Sequence, residues 1–159
     1  MSKKNFRADL LTFSLIMGLL STFLKSVITL VPYYLGLTNN MGILIMGKTI
    51  FNITQVPHDP GHLIIASLGH LAFGAILGIG LSIIYLKTGT DFHLIKSGFY
   101  GVTIWLIVRN ILIAIGIPDE PRPMNVLTAM VSLISHLFYG LTLGYLTVKY
   151  NKFIPKVAT

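Results

Sequence analysis

Four long apolar runs dominate this chain and leave few ways to fold it. They cover roughly residues 10–35, 61–86, 97–117 and 126–148, and a helix needs about 20 apolar residues to cross a bilayer. Hydrophobic residues make up 53% of the sequence and charged residues only 11%, whereas a soluble domain carries about 25% charged residues. The sequence therefore predicts an all-α integral membrane protein, a four-helix bundle forming one domain over residues 1–159. The first run follows Lys3, Lys4 and Arg7 as a signal peptide would. It is too long for a secretory apolar core and has no small-x-small cleavage site, so it reads as a retained helix.

The formal charge of +7 is explained by placement. With the N-terminus in the cytoplasm, Lys3, Lys4, Arg7, Lys87, Lys96, Lys149, Lys152 and Lys156 fall on the inner side. Lys48 and Arg122 fall outside, with Asp59, Asp119 and Glu120. Such a positive-inside bias predicts a multi-pass protein of the cell membrane with both termini cytoplasmic. Lipid is then the expected partner, and contact with anionic lipid would favour the inner charges. The aromatic-basic interleaving of a nucleic-acid groove is missing, so no nucleic-acid partner is expected. Cysteine is absent, which excludes disulfides, thiol catalysis, cysteine-held iron–sulfur clusters and covalent c-type haem.

The outer connection from Gly36 to Pro60 is the one long link. Within it the apolar segment 42–53, with Lys48 at its middle, is too short to span. It reads as an interfacial or re-entrant helix, or as an ordered loop on the headgroups. Asp59-Pro60 has the form of an N-cap followed by a first-turn proline.

The second and fourth runs repeat each other. His70-Leu71-Ala72-Phe73-Gly74 through Gly78 aligns with His136-Leu137-Phe138-Tyr139-Gly140 through Gly144 at an offset of 66 positions. Lys25 and Arg109 occupy corresponding places in runs one and three. The expectation is a tandem repeat of two helical hairpins about a pseudo-two-fold axis along the membrane normal. At about 1.5 Å per residue, Lys25, His70, Arg109 and His136 all fall about 12–15 Å below the outer boundary. Spacing puts small and polar residues on one face of each helix: Ser14, Gly18, Ser21, Thr22, Lys25 and Thr29 on the first; His62, Ala66, His70, Gly74, Gly78 and Ser82 on the second. Gly98, Gly101, Trp105 and Arg109 share a face of the third, and Thr128, Ser132, His136, Gly140 and Gly144 one of the fourth. Four inward faces of this kind make the four ionisable side chains converge.

Buried cations without a carboxylate are costly and need an offset. Several readings are open. In one, His70 and His136 ligate the iron of a b-type haem in membrane electron transfer. Gly74 and Gly140 then leave room for the macrocycle, and Lys25 and Arg109 meet the propionates. In another, the same residues hold an anionic, lipid-like or quinone-like small molecule, flanked by Trp105 and Tyr139. A third reading is a scaffold subunit of a membrane complex, or a homodimer. A purely structural reading makes both histidines polar members of a tight interface, bonded to Ser135, Ser132 or Tyr139. An outer-face metal site at His58, Asp59 and His62 is a separate option. No nucleophile, base and orienter stand together, so an enzyme is not expected.

Ser82-Ile83-Ile84-Tyr85, Gly98-Phe99-Tyr100-Gly101 with Trp105, and Tyr139-Gly140 with Gly144-Tyr145 resemble the uncharacterised YqhR-type group of small bacterial membrane proteins. The order of four spans with a longer first outer loop is also similar. The resemblance implies a four-helix membrane protein of unknown role. It does not extend to His70, His136 or Lys25.

Overall fold

The computed structural model describes residues 3–38, 41–52, 59–114 and 125–150, without the side chains of 3–8, 112 and 113. His58 and the 118–123 segment, with Asp119, Glu120 and Arg122, lie outside the described residues. Among those described, all regular structure is helical. The order is α1 (Lys3–Tyr34), α2 (Gly42–Phe51), α3 (Pro60–Thr88), α4 (His93–Ala114) and α5 (Val126–Lys149). Three helices are long and apolar enough to cross a membrane: α1 from Asp9, α3 and α5. α4 has 22 residues, but Lys96, Arg109 and Asn110 dilute its apolar character.

The ends follow from local chemistry. Gly36 adopts a positive φ of 68° after α1, and its N–H bonds to the Tyr33 carbonyl at 3.0 Å, while Leu37 N–H bonds to Pro32 O at 2.9 Å. These close the last turn as a left-handed residue after a helix does. Asp59 caps α3 by accepting from the His62 N–H at 3.0 Å, and Pro60 opens the helix. At the other end Gly89 (φ 72°) ends α3, and Lys96 Nζ donates to the Thr88 and Gly89 carbonyls at 2.9 and 3.1 Å. α3 and α4 thus run closer together than the apolar runs indicate, leaving only residues 89–92 between them.

Packing inverts the pattern of a water-soluble protein. Ser14, Ser21, Thr22, Lys25, Thr29, His70, Ser82, Ser97, Thr128, Ser135 and Thr147 are buried, whereas Leu19, Phe23, Val31, Ile64, Leu68, Ile76 and Ile134 point outward. All six residues of the inward face expected on α1 are buried. Their hydroxyls satisfy themselves on the preceding turn: Ser14 on Leu10 O, Ser21 on Met17 O and Thr22 on Gly18 O, at 2.7–2.8 Å. Close van der Waals packing through small residues is the usual means of holding membrane-capable helices together.

Each of two helix pairs crosses through glycine. A Cβ on Gly18 would lie 2.5 Å from the Gly74 carbonyl and 2.9 Å from Ala75 Cα, which joins α1 to α3. One on Gly140 would lie 3.0 Å from both Cα and N of Gly101, which joins α4 to α5. The pairs meet along α1 and α5, giving a spatial order α3–α1–α5–α4, and α2 packs on α3. A two-fold axis would make the α1–α5 and α4–α3 contacts equivalent. They are unequal, for α4 meets α3 over only a short stretch.

Candidate functional site

All five helices border one cavity of about 390 Å³. α1 contributes Thr22, Lys25 and Thr29, and α2 contributes Gly42, Ile45, Met46 and Thr49. From α3 come His70, Phe73, Gly74 and Leu77; from α4, Ile104, Trp105, Val108, Arg109 and Ile111; from α5, Val131, Ser132, Ser135, His136 and Tyr139. Lys25, His70, Arg109 and His136, expected at one depth from their spacing, thus surround a single space, together with Gly74, Trp105 and Tyr139. Gly140, expected beside them, does not line it, being pressed against the Ser97 carbonyl and Gly101.

Lys25 is buried, 8% exposed, and its Nζ lies 3.2 Å from His136 Nε2. His136 Nδ1 lies 2.8 Å from the Ser132 carbonyl. A carbonyl only accepts, so Nδ1 carries the ring hydrogen, Nε2 is the acceptor and the Lys25 ammonium donates to it. Ser132 organises this corner from both its polar groups. Its carbonyl also accepts from Ser135 Oγ at 2.8 Å, and its hydroxyl accepts from Trp105 Nε1 at 3.1 Å. α4 and α5 are thereby joined at the cavity wall.

His70 is also 8% exposed but is held by shape. Its ring lies where a Cβ on Gly42 would be, with Nε2 2.9 Å and Nδ1 3.1 Å from that point. Glycine at 42 is what lets α2 close over the imidazole. Among the described residues the His70 ring makes no hydrogen bond, so both its nitrogens are available to whatever occupies the cavity. Tyr139 donates from its hydroxyl to the Gly74 carbonyl at 2.9 Å, and Tyr100 donates to the Leu77 carbonyl at 2.6 Å. Gly74, Leu77 and Tyr139 line the cavity, so both bonds tie down carbonyls of its wall.

No carboxylate lines the cavity among the described residues. Asp9, Asp59 and Asp91 are all exposed, near helix ends. The cavity therefore carries positive charge, two imidazoles and otherwise largely apolar walls.

Two sequence expectations change here. Gly74 and Gly140 do not open room for a flat macrocycle, because the place of a Cβ on Gly74 is filled by Thr22 and that on Gly140 by α4 backbone. His136 Nε2, the nitrogen that would face an iron, faces Lys25 instead. At the start of α3, Asp59 Oδ2 is 3.2 Å from His62 Nδ1 and also serves as the helix cap. The His62 ring stands edge-on to Phe51, with centroids 4.2 Å apart. Among the described residues no group of three or more metal-ligating side chains exists, and His58 is outside them.

Sequence reasoning missed Gly42, Ser135 as a wall residue, and the direct Lys25–His136 bond. Which helices become neighbours is not written in the periodicity of any one of them. Compared with known proteins, the chain matches no family model, and no curated protein and no solved structure is found to be similar to it.

Proposed function

We propose that this chain is a four-span protein of the cell membrane, with both termini cytoplasmic, that binds the anionic group of a small ligand in its central cavity. The observation that carries the reading is Lys25, a buried cation in a cavity without a carboxylate among its described wall residues. An ammonium in such a place is expensive unless something shares its charge. His136 accepts one of its hydrogens but brings no negative charge. An anion within about 4 Å of Nζ interacts by about 4 kcal/mol at an effective dielectric of 20. Arg109 lies on the same wall, and His70 offers a ring donor.

Membrane placement is supported by the outward-facing leucines, isoleucines and phenylalanines and by the charge bias of the connections. α4 at 22 residues reaches about 33 Å at 1.5 Å per residue, enough for a fourth span. The glycine crossings in both helix pairs support descent from a duplicated hairpin whose two copies have since diverged, so that α1 meets α5 along more of its length than α4 meets α3.

The test is native mass spectrometry of the protein purified in mild detergent, as wild type, Lys25→Met and Lys149→Met. Wild type and Lys149→Met should retain a bound anionic molecule, and Lys25→Met should lose at least nine-tenths of it. Equal occupancy in Lys25→Met, or no anionic adduct in any sample, refutes the reading.

A further inference from the structure

The cavity has one weakly closed side. α3 and α4 both border it, yet they meet over only a short stretch. Their polar contacts lie toward the connecting turn: Tyr85 donates to the His93 carbonyl at 2.9 Å, and the Tyr100 hydroxyl donates to Leu77 O and sits 2.5 Å from where a Cβ on Gly80 would be. Toward α2 the two helices diverge around the cavity, and α2 lies on α3, where Met46 and Ile50 cover Gly69. Phe73 on α3 and Ile111 on α4 line the cavity and are 38% and 51% exposed on the outer surface of the helices. The cavity wall thus runs out between α3 and α4 to the surface that faces hydrocarbon, and its rim is apolar.

Size narrows the occupant. A volume of about 390 Å³ lies at the small end of the range of pockets that hold drug-sized molecules, about 300–1,000 Å³. It holds a headgroup or a short chain segment, not a whole lipid. A lipid seated there must leave its chains elsewhere, and the α3–α4 gap is an apolar route of the right polarity beside the cationic centre.

Resting on the anion-binding reading above, we infer that the ligand is an anionic phospholipid taken laterally from the bilayer. Its phosphate sits at Lys25 with Arg109 and the His70 imidazole around it, and its acyl chains pass out between Phe73 and Ile111. A membrane lipid and a free phosphate present the same group to Lys25. They differ in whether an apolar exit is of use, and the residues at the α3–α4 edge of the cavity, Phe73 and Ile111, are apolar.

The test uses the full chain in detergent micelles with dioleoyl phosphatidic acid, dioleoyl phosphatidylcholine and inorganic phosphate as probes, each read by native mass spectrometry. Phosphatidic acid should bind at least tenfold more tightly than phosphatidylcholine, inorganic phosphate should not displace it, and Lys25→Met should weaken it at least tenfold. The sequence contains no cysteine, so Phe73→Cys/Ile111→Cys can be bridged with a flexible bis-maleimide. Bridging should slow phosphatidic acid exchange at least tenfold. Val108→Trp, which narrows the gap from α4, should do the same without any label. If inorganic phosphate binds in a Lys25-dependent way while bridging and Val108→Trp leave lipid exchange unchanged, the site takes a free anion and the lipid inference is overturned. If no probe binds, the anion-binding reading falls and takes the lipid inference with it.

Discussion

Gly98 and Gly101 lie one turn apart on the same face of α4, and their substitution separates helix propensity from helix packing. A Cβ on Gly98 would meet only the ends of two leucine side chains, Leu137 Cδ1 at 3.3 Å and Leu141 Cδ2 at 3.5 Å. A Cβ on Gly101 would run into the His136 carbonyl oxygen and lie 3.1 Å from its carbon and 3.2 Å from Gly140 Cα, all of them backbone. Alanine gains about 1 kcal/mol over glycine inside a helix. Leucine ends can rotate by a few tenths of an ångström, so Gly98→Ala should keep most of that gain. Backbone cannot rotate away, and overpacking costs about 1–3 kcal/mol, so Gly101→Ala should lose about 1 kcal/mol net. The two variants then differ by about 2 kcal/mol, or about 30-fold in the unfolding constant. Circular dichroism during dodecyl sulfate titration of the protein in dodecyl maltoside micelles measures this. Gly101→Ala should also weaken ligand retention, since it displaces the backbone that carries His136, whereas Gly98→Ala should not. Similar shifts for both variants would refute the claim that α4 and α5 touch backbone to backbone at Gly101.

Tyr139→Phe removes the hydroxyl that bonds the buried Gly74 carbonyl and should destabilise by about 0.6–1.7 kcal/mol in the same titration, the range for bonds between membrane helices. Asp59→Ala removes the cap of α3 and should cost about 1 kcal/mol, with hydrogen exchange accelerated at residues 61–63 and unchanged around His70. Trp105 is the sole tryptophan, so Ser132→Ala, which removes the acceptor of its indole N–H, should shift the fluorescence emission to shorter wavelength. Saturation of the wild type with phosphatidic acid should change the same emission, and Lys25→Met should abolish that change; an emission indifferent to both would place Trp105 away from the occupied site.

Much of this arrangement is legible in the chain because small and polar residues recur at helical spacing within apolar runs. Ala66, His70, Gly74, Gly78 and Ser82 are all buried along α3 as that spacing requires. Counting residues from the ends of each run placed Lys25, His70, Arg109 and His136 at one height, and all four border one cavity. The role of a glycine is less legible, for a missing side chain admits a neighbouring helix as readily as a cofactor, and here Gly74 meets Thr22 and Gly140 meets α4 backbone. Residues 42–53 read equally as interfacial helix or loop, because a short apolar segment carries no record of what it covers. The structure makes Gly42–Phe51 helical and sets its first residue against His70. The bond from Lys25 to His136 was hidden for the same reason, as it depends on α1 lying beside α5 rather than beside α4.

That bond also bears on how the protein is made. Lys25 precedes His136 by 111 residues, so on the proposed membrane placement its ammonium enters the bilayer during synthesis long before the imidazole that accepts its hydrogen bond. Until the last helix docks, the amine must rely on water or lipid phosphates drawn into the membrane, and the half-built chain is marked by an unsatisfied charge. A ribosome that stops before Val126 would release a product of this kind, recognisable to quality-control proteases by the polarity of a surface that the finished molecule conceals.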